Sequence, residues 1–491
     1  MPEETKKTDS NMYRYRILTC IVMEAASPIA VGSGQKSILT DSTVARDANG
    51  LPYIPGSSLA GVIRHAMEKH HEADQNLPDM NDWMGCQSDG RVEGSRLIVS
   101  EAKILDSSGK PADGLLEAPE PGDDYKDPLL RHFTADRLPI RQHVRISHHG
   151  TAEDMGKFDE EVVPVGTRFC FEMELMADEE KKSAGLMDGI LRSIAADTFR
   201  IGSGTRSGFG AMKIVSIGRR DIDLTKELDV YLSKSSGLNP EWEGFEQIDP
   251  SGLKSHDDNF IRYTLTLKPA DFMFFGSGFG SGDADMTYVR NPAVTWSKDG
   301  KGTFSEAAEE KFILIPASSV KGALSHRTAY YYNQIKEIFA DDSKRFADGL
   351  LPDELKTQLE EHTGDRNAAV KALFGSAGDD NGEGKARGLA IFTDVTAQNT
   401  AGAKSKLLNH VSIDRFTGGA INGALFNEET LFAHGTKFIM EILVSKKEAE
   451  KDPQVIEAFE KALDDVTDGL LPLGGGVNRG NGTFKGSWKK E

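Results

Sequence analysis

The chain has 491 residues and a formal net charge of −19, so it is too long for one ordinary core and we expect two or more domains. This acidity argues against unspecific adhesion to nucleic acid over the whole surface, although it permits one local basic groove. No apolar run reaches the roughly 20 residues that span a bilayer, and the three distant cysteines form no Cys-x-x-Cys pair. We therefore expect a cytoplasmic protein with no membrane partner, no disulfide framework and no cysteine zinc site.

The first predicted strand, residues 13–24, is rich in β-formers and leads through a Gly/Ser loop to the motif Ile54-Pro55-Gly56-Ser57-Ser58. Proline closes the extended segment and cannot continue it. A serine hydroxyl can accept from the first free amides of a helix. The motif therefore predicts a helix that begins at a serine cap.

That helix is predicted to have one apolar face, because Leu59, Ile63 and Met67 recur at helical spacing. Gly61 lies inside it, although glycine costs about 1 kcal/mol there relative to alanine. The same glycine recurs as Gly322 in a second copy of the motif. Both glycines indicate the close approach of another backbone, or of a phosphate, to the first turn.

The order of motifs occurs twice, with a period of about 260 residues between Pro55 and Pro316. Four blocks in the same order indicate an internal duplication of a whole domain. The paired blocks are 13–24 with 260–268 and the motifs that follow them, 83–99 with 373–392, 143–169 with 410–438, and 202–210 with 474–482.

The duplication predicts two domains, 1–233 and 259–491, joined by a polar linker at 234–258. Strands alternate with helices in each half. This pattern is typical of an α+β sheet with helices on one face, of the βαββαβ kind.

A glycine-rich segment ends each half, at 202–210 and 474–482. Neither has the spacing of a phosphate loop, and the first opens a strand rather than the helix that a dinucleotide fingerprint requires. Two interpretations stay open. The glycines form tight turns, or their amides line a phosphate track together with Arg206 and Arg479.

Asp41 is the best candidate for chemistry, in the loop-like stretch 40–44 just before the first motif. The plainer interpretation is an aspartate that caps a turn. In the second half we match the same place to Arg290, with Asp283 and Asp285 nearby in a different register.

Residues 54–64, the turns at Gly85 and Gly375, the segment 413–420 and the glycine-rich ends together resemble the RAMP (repeat-associated mysterious protein) superfamily. Within it, the chain resembles the backbone subunits of type III CRISPR effector complexes. The resemblance covers most of both halves and implies two such subunits fused in tandem, as in some type III-D systems. It implies an α+β fold of two modified ferredoxin-like, RRM-type domains that stack along a CRISPR RNA, each with a hairpin thumb that displaces a guide base.

The resemblance also implies that target RNA pairs with the guide and is cut opposite the thumbs with a divalent metal ion, Mg²⁺ or Mn²⁺. Asp41 matches the family's catalytic aspartate, although Thr43 replaces the usual proline, whereas Arg290 departs from the pattern. The implied partners are the CRISPR RNA guide, target RNA, other RAMP backbone subunits and the large signature subunit. The implied RNA-binding residues are Ser57, Ser58, Gly61, Arg64, Arg206, Ser318, Ser319, Lys321, Arg415 and Arg479.

We therefore expect a guide-binding subunit that is also a metal-dependent endoribonuclease, cutting target RNA at Asp41. The alternative is a catalytically inert backbone subunit that only binds and shapes the guide–target duplex. A third candidate is a metal-independent processing nuclease for CRISPR transcripts that uses His65 or His143. A free-standing nucleotide-dependent enzyme is the least favoured.

Overall fold

The chain folds into two lobes that repeat one α+β plan. The computed structural model describes residues 13–37, 40–73, 79–88, 91–117, 125–134, 137–253, 259–305, 313–339, 362–378, 384–397 and 403–491.

The first lobe consists of a central antiparallel sheet, two hairpins and two long helices. Its strands are β1 Tyr15–Ala25, β2 Tyr53–Ile54, β3 Cys86–Ser88, β4 Arg91–Glu93, β5 Leu97–Val99, β6 Ala102–Ile104, β7 Ile140–Ile146, β8 Ala152–Glu161, β9 Arg168–Ala177, β10 Ser207–Gly208, β11 Met212–Asp223 and β12 Glu246–Ile248. Its helices are α1 Gly56–Ala73, α2 Asn81–Met84, α3 Glu180–Ala195 and α4 Leu228–Ser233, with 3₁₀ turns at Leu130–His132 and Pro250–Leu253.

The second lobe repeats this sequence of elements. Its strands are β13 Phe260–Pro269, β14 Phe272–Met273, β15 Met286–Thr287, β16 Ala293–Trp296, β17 Gly302–Ser305, β18 Leu314–Ile315, β19 Gly375–Ser376, β20 Ala386–Arg387, β21 Ala390–Thr393, β22 Val395–Thr396, β23 Lys404–Ile413, β24 Ala420–Phe432, β25 Phe438–Ser445 and β26 Phe484–Lys490. Its helices are α5 Ala317–Ile335, α6 Ala368–Leu373, α7 Lys446–Lys451 and α8 Pro453–Asp468, with 3₁₀ turns at Gly364–Arg366 and Val477–Arg479.

The central sheets of the two lobes have the same strand order. The first runs β11–β1–β9–β5 and the second β26–β13–β25–β21, with every neighbouring pair antiparallel. In the first sheet β1 lies between β11 and β9, and in the second sheet β13 lies between β26 and β25. This is the strand arrangement of a βαββαβ unit. The predicted fold class, two tandem modified ferredoxin-like domains, is therefore confirmed.

The helices cover one face of each sheet. Leu59, Ile63 and Met67 of α1 are buried, as their spacing predicts, in a core shared with α3 and β1. Helices α5 and α8 form the matching layer of the second lobe, where Leu324 and Phe459 are buried. Across the described ranges, no helix is long and apolar enough to cross a membrane.

The segment predicted as a linker is in part a structured piece of the first lobe. Strand β12 pairs with β11 at the edge of the first sheet. Phe245 is buried with Cys20 and Val22 on the face that the helices leave open. Residues 234–253 therefore cover this apolar face, while 254–258 lie outside the described residues.

The serine start predicted for the motif helices is wrong in both lobes, because α1 begins at Gly56 and α5 at Ala317, each before its serines. Helix α5 begins at Ala317, before its serines, and its N-cap residue Pro316 makes no side-chain bond to the helix. The carboxylate of Asp394 instead accepts a hydrogen bond from the Ala317 amide at 2.8 Å. The carboxylate of a residue distant in sequence therefore caps the first turn of α5, the role that the sequence predicts for Ser318 and Ser319.

Asp394 also joins the lobes. Its carboxylate lies 3.1 Å from the guanidinium of Arg141 in the first lobe, and both side chains are buried, at 4% and 7% exposure. Arg141 also donates to Asn291 at 2.6 Å. A Cβ on Gly208 would lie 2.2 Å from Asp394 Oδ1, so glycine lets the first lobe pack closely against this carboxylate.

Two hairpins extend from the sheets, β7–β8 in the first lobe and β23–β24 in the second. The first leans on the second lobe, where Arg145 lies 3.4 Å from Asp365 and the carbonyl of Ile146 lies 3.2 Å from His326 Nε2. The second ends in a tip around Phe416, whose side chain is fully exposed.

Replacing Asp394 with alanine should destabilise the protein by about 3–5 kcal/mol, because the change leaves Arg141 buried without its counter-charge and uncaps α5. Urea unfolding measures this loss. The matched control is Glu457→Ala, which breaks the exposed Glu457–Lys461 pair and should cost less than about 1 kcal/mol. Equal losses for both variants would contradict a supporting role for the buried pair.

Candidate nucleic-acid interface

Four cations meet where the glycine-rich end of the first lobe touches the second. Strand β10 runs parallel to β21, with Ser207 opposite Phe392. This contact brings Arg200 and Arg206 of the first lobe near Lys321 in α5, whose Nζ lies 3.5 Å from Ser207 Oγ. Arg387 in β20 completes the group, which we call the junction cations.

Arg206, Lys321 and Arg387 form no ion pair with a described carboxylate, whereas Glu441 partly offsets the burial of Arg200. Burial, followed by the charges of Arg387 and Arg200, lowers the pKa of Arg206 to about 10. Burial and then the charge of Arg206 lower the pKa of Lys321 to about 8. The buried Nε of Arg206, and Nε and Nη1 of Arg200, have no hydrogen-bond partner in the described structure. Like charges without an acceptor destabilise the fold, so this arrangement favours an anionic ligand.

Each junction cation occurs in one lobe only, and the equivalent position of the other lobe has no charged residue. The two glycine-rich ends superimpose by their hydrogen bonds, since Phe209 N donates to Gly204 O and Asn481 N to Gly476 O, both at 3.2 Å. With the lobes matched in this way, each junction cation has an uncharged counterpart. The counterparts of Arg200, Arg206, Lys321 and Arg387 are Pro472, Asn478, Ala60 and Gly94. The cluster is therefore a feature of the junction and not of each lobe.

Gly61 and Gly322 lie on the exposed faces of α1 and α5. No described atom beyond the helix itself lies within 4 Å of a Cβ built at either position. The close approach of another backbone, one of the two explanations offered by the sequence, is therefore wrong for the described chain. The open space in front of both helices is consistent with the other explanation, a bound phosphate.

The glycine-rich ends are tight turns. Gly202 and Gly474 have φ of 89° and 93°, and a Cβ at each would lie 2.4 Å from the carbonyl oxygens of Ala30 and Phe274, respectively. The turn interpretation accounts for these glycines. Arg206, rather than the glycine amides, is therefore the candidate for anion binding in the first segment.

Two of the predicted RNA-binding arginines already form hydrogen bonds or an ion pair with groups of the protein. Arg64 donates from Nη2 to Asn81 Oδ1 at 2.7 Å and to the Gly85 carbonyl at 2.9 Å, which ties α1 to the following turn. Arg479 lies 2.7 Å from the buried carboxylate of Glu428. Their present contacts are structural, in contrast to those of Arg206.

The other predicted residues lie at exposed or half-buried places. Arg415 is exposed at the tip of the second hairpin, after Asp414, whose carboxylate accepts from the amides of Thr417 and Phe416; these bonds lower the pKa of Asp414. The serines of the two motifs lie in the first turns of their helices, at Ser57, Ser58, Ser318 and Ser319.

Asp41 lies against strand β8 of the first hairpin. Its amide donates to Asp159 Oδ1 at 2.8 Å, and the amide of Asp159 donates back to Asp41 Oδ2 at 3.3 Å. The Asp41 side chain is 51% exposed, and its Oδ1 lies 3.9 Å from Lys36 Nζ. The loop thus presents a half-exposed carboxylate beside a lysine and a second carboxylate.

The second lobe repeats this exchange at Asp285. Its amide donates to Asn427 Oδ1 at 2.7 Å, and the amide of Asn427 donates back to Asp285 Oδ2 at 2.9 Å. Asp285, and not Arg290, is therefore the counterpart of Asp41.

The match of Arg290 to Asp41 is wrong because Arg290 has another counterpart. Arg46 and Arg290 lie 2.9 Å from Glu161 and Glu429, respectively. The spacing could have shown this, because each loop places the aspartate eight residues after a Gly-Ser pair and two before a threonine. The hydroxyls of that serine and threonine bond at 2.8 Å in both lobes.

A metal ion fits these loops only with help from a ligand. Among the residues that the structure describes, no three or more His, Cys, Asp or Glu side chains form a metal-binding group. Mg²⁺ takes one or two carboxylates, several waters and substrate phosphates. The first lobe offers Asp41 and Asp159, whereas the second offers Asp285 beside the amide of Asn427.

His143 is packed in the same way as its counterpart His410. Its Nε2 lies 3.2 Å from Glu160 and its ring stacks on Phe158, while His410 lies 3.1 Å from Glu428 and stacks in the same manner. The same histidine–glutamate contact and ring stacking in both lobes indicate a structural role. The geometry therefore does not support a nuclease that uses His143.

Replacing Lys321 with methionine should stabilise the free protein at pH 7, because the folded-state pKa of about 8 lies below the ordinary value of 10.5. The destabilisation by the charged lysine is fully present below pH 8 and disappears as pH rises to 10.5. Thermal unfolding across this range should show the advantage of the variant shrinking. A constant difference would contradict an unpaired, buried Lys321.

The comparisons with known proteins identify the family. The sequence model of the RAMP superfamily matches residues 22–213 and 307–485, one region in each lobe. No curated protein matches the chain. One similar solved structure is described as type III-B Cmr-beta in the apo state, determined by cryo-EM, at 17% identity and a TM-score of 0.30; the alignment covers 42% of this chain and 98% of that one. At that TM-score the likeness adds nothing to the assignment. Because the family matches cover most of the sequence, the chain belongs to the RAMP superfamily, with two RAMP regions in tandem.

Proposed function

We propose that this protein is an RNA-binding backbone subunit of a type III CRISPR effector complex that holds the guide RNA across its two lobes. The observation that carries the proposal is the group of junction cations, in which the partly buried Arg206 and Lys321 have no described carboxylate partner, in a chain of net charge −19. Phosphodiesters supply the missing negative charge, and they do so without regard to base sequence.

The guide would run along the open faces of the motif helices. Gly61 and Gly322 leave these faces free of described atoms from the rest of the chain, and the junction cations lie at the contact of the lobes, with Lys321 next to Gly322. A strand that follows this path would have its phosphates near Arg206 and Lys321. Binding would raise the pKa of Lys321, which burial lowers.

A further backbone subunit is the partner proposed for the second hairpin. The first hairpin rests on the second lobe through Arg145 and Ile146. The second hairpin has the same origin and exposes apolar side chains at Val411, Phe416 and Leu425. A neighbouring RAMP subunit that presents a surface like that of the second lobe would cover them.

The catalytic role is assigned to Asp41. Cleavage by the RNA's own 2′-hydroxyl forms a bond from O2′ to phosphorus and breaks the bond from phosphorus to O5′, which requires in-line geometry. The carboxylate of Asp41 accepts the 2′-hydroxyl proton, and the leaving O5′ takes a proton from water. A divalent ion, when bound, would relieve the negative charge of the phosphate. Asp159 holds the loop by its exchanged bonds.

The same role extends to Asp285. The backbone of its loop is fixed by the same pair of hydrogen bonds, although Gly280 stands in the place of Lys36 and Asn427 in that of Asp159. The second lobe therefore has one carboxylate where the first has two, and we expect its cut to need more metal ion than the first.

The alternative is an inert subunit that binds and shapes the guide–target duplex without cutting it. The half-exposed Asp41 and the exposed Asp285 serve in that case only to close their loops against the hairpins. Cutting by the assembled complex distinguishes the two, since an inert subunit leaves the products unchanged when either aspartate is replaced.

Removing two junction cations together, by Arg206→Gln with Lys321→Met, should weaken binding of single-stranded RNA by roughly 10-fold or more. It should also reduce the slope of log affinity against log salt by about 1.4, because each phosphate contact in single strands contributes about 0.7. Filter binding at several salt concentrations measures both. The control removes two exposed lysines of the second sheet, Lys268→Ala with Lys489→Ala, and should leave the slope nearly unchanged. Equal slopes for the two double variants would reject the junction as the RNA path.

Replacing Asp41 with alanine should abolish one cut in a guide-paired target while the complex still assembles. Asp285→Ala should abolish a different cut, and the double variant both; a chelator should suppress all of them. Gel analysis of target fragments measures this. The matched change is Asp→Asn at each position, which keeps the loop's hydrogen bonds and removes the proton acceptor. An unchanged fragment pattern in the double variant would establish the inert alternative.

A further inference from the structure

We propose that the turn at residues 432–437 of the second lobe binds a β-hairpin of a neighbouring subunit, and that a tryptophan of this hairpin lies on the turn. The first lobe already binds such a hairpin on its matching turn, whereas the turn of the second lobe is exposed. The inference deepens the proposed function, on which it rests for the identity of the partner, by naming a surface that binds protein.

The hairpin that shows this mode of binding is β16–β17, which with its flanking residues 290–305 we call the arm. The arm belongs to the second lobe but packs on the core of the first. Val294 is buried in that core, and Trp296 and Phe304 pack against it. In the first lobe a tight turn at residues 47–51 replaces the arm. The arm is therefore the part of one lobe that grips the lobe before it.

Three contacts bind the arm to the turn that precedes β9. The amide of Val294 donates to the carbonyl of Val165 at 2.8 Å. The indole N–H of Trp296 donates to the Gly166 carbonyl at 2.7 Å. The guanidinium of Arg168 lies 4.3 Å from the centre of the same indole ring. One carbonyl and one cation thus recognise the tryptophan of the arm.

The second lobe repeats this turn just before β25. The amide of Thr436 donates to the Ala433 carbonyl at 2.9 Å, as the amide of Thr167 donates to the Pro164 carbonyl at 3.3 Å. With the turns matched in this way, the counterparts of Val163, Val165, Gly166 and Arg168 are Phe432, His434, Gly435 and Lys437. The φ angle is 81° at Gly166 and 86° at Gly435. The second turn therefore has the same backbone and again carries a cation.

The two turns differ in what covers them. Val163 and Gly166 are buried, whereas their counterparts Phe432 and Gly435 are exposed. A Cβ at Gly166 would lie 1.9 Å from the carbonyl oxygen of Val294, but a Cβ at Gly435 would have no described atom within 4 Å. An exposed phenylalanine beside an open turn is typical of a protein contact that lacks its partner.

The side chains around the second turn suit an indole ring. The rings of Phe432 and His434 are stacked with their centres 6.1 Å apart. Phe272 packs edge-on against Phe432 at 5.4 Å, and Lys406 Nζ lies 5.9 Å from the Phe272 ring. Lys437 is exposed beside them. Aromatic rings and ammonium groups are the surfaces on which tryptophan packs.

The direction of the contacts between the lobes identifies the partner. The first hairpin rests on the second lobe, and the arm of the second lobe rests on the first. The same head-to-tail relation, repeated once, places a third lobe against the second hairpin and its arm against the turn at 432–437. The partner is thus the neighbouring subunit proposed for the second hairpin. A second copy of this chain does not fit, because its arm is bound to its own first lobe.

The test titrates the full chain with a peptide of residues 290–305, whose ends are covalently joined to favour the hairpin. Isothermal calorimetry should show one peptide bound per chain, because the chain's own arm fills the turn of the first lobe. The same peptide with Trp296→Ala should bind at least roughly 10-fold more weakly, because the indole makes both the hydrogen bond and the cation–π contact.

Variants of the second turn locate the bound peptide. Lys437→Ala should weaken binding roughly 3-fold by removing the cation, and Phe432→Ala with Lys437→Ala roughly 10-fold. Lys437→Arg restores the guanidinium of the first lobe and should bind at least as tightly as the wild type. If the double variant melts at a lower temperature, Lys437→Glu replaces it. The control is Lys461→Ala on α8, which should bind the peptide as the wild type does.

Absence of peptide binding by the wild type, or equal affinities in all variants, would overturn this inference. It would also fall if the double variant bound the peptide normally but single-stranded RNA more weakly, since the surface would then bind RNA. The proposed function is tested separately, by the RNA affinity of the Arg206 and Lys321 double variant. If RNA binding fails there while the peptide results hold, the proposed function is rejected and the hairpin site remains.

Discussion

The buried ion pair between Arg141 and Asp394 is the contact on which the arrangement of the lobes depends. Asp394 accepts from the first amide of α5, lies against Gly208 and faces Arg141. These three contacts fix a helix of the second lobe, a turn of the first and the base of the first hairpin in one place. A buried pair of this kind contributes little net stability, but losing either partner is costly. Its role is therefore to set one relative position of the two lobes.

From that fixed position the remaining features follow. Because β10 is held beside β21, Arg206 and Lys321 stay close together, although burial lowers the pKa of both. The charges of Arg387 and Arg200 lower the pKa of Arg206 further, and the charge of Arg206 does the same to Lys321. Asn291, whose Nδ2 has no partner in the described structure, lines a cleft between the lobes together with Arg141. Unpaired cations and unpaired donors thus lie along one boundary. Groups that destabilise the free protein are expected where a ligand binds, since the ligand supplies the missing partners.

Much of the fold could be predicted from the sequence, because the duplication is visible in the order of its motifs. The alternation at Tyr263, Leu265 and Leu267 and the helical spacing from Leu59 to Met67 both correspond to buried faces. Hydrophobic periodicity reports local burial directly. The sequence also indicates Arg206 and Lys321 as RNA-binding residues. It could not show that they lie close together, because their proximity depends on how the two domains pack.

The errors of the sequence interpretation have physical reasons too. The local sequence matches Arg290 to Asp41, and extra residues that include the hairpin β16–β17 hide the true register by separating that loop from its helix in the second lobe. Only the exchanged bonds of Asp285 and Asn427 establish the register. Arg64 and Arg479 look like free cations in the sequence because their acceptors, the Gly85 carbonyl and Glu428, lie far along the chain.

The most direct test of the central claim is an experimentally determined structure of this protein with single-stranded RNA bound. We predict a phosphate within hydrogen-bonding distance of both Arg206 and Lys321, with the strand passing the open faces at Gly61 and Gly322. RNA bound elsewhere, with the junction cations still facing only solvent and protein, would contradict it.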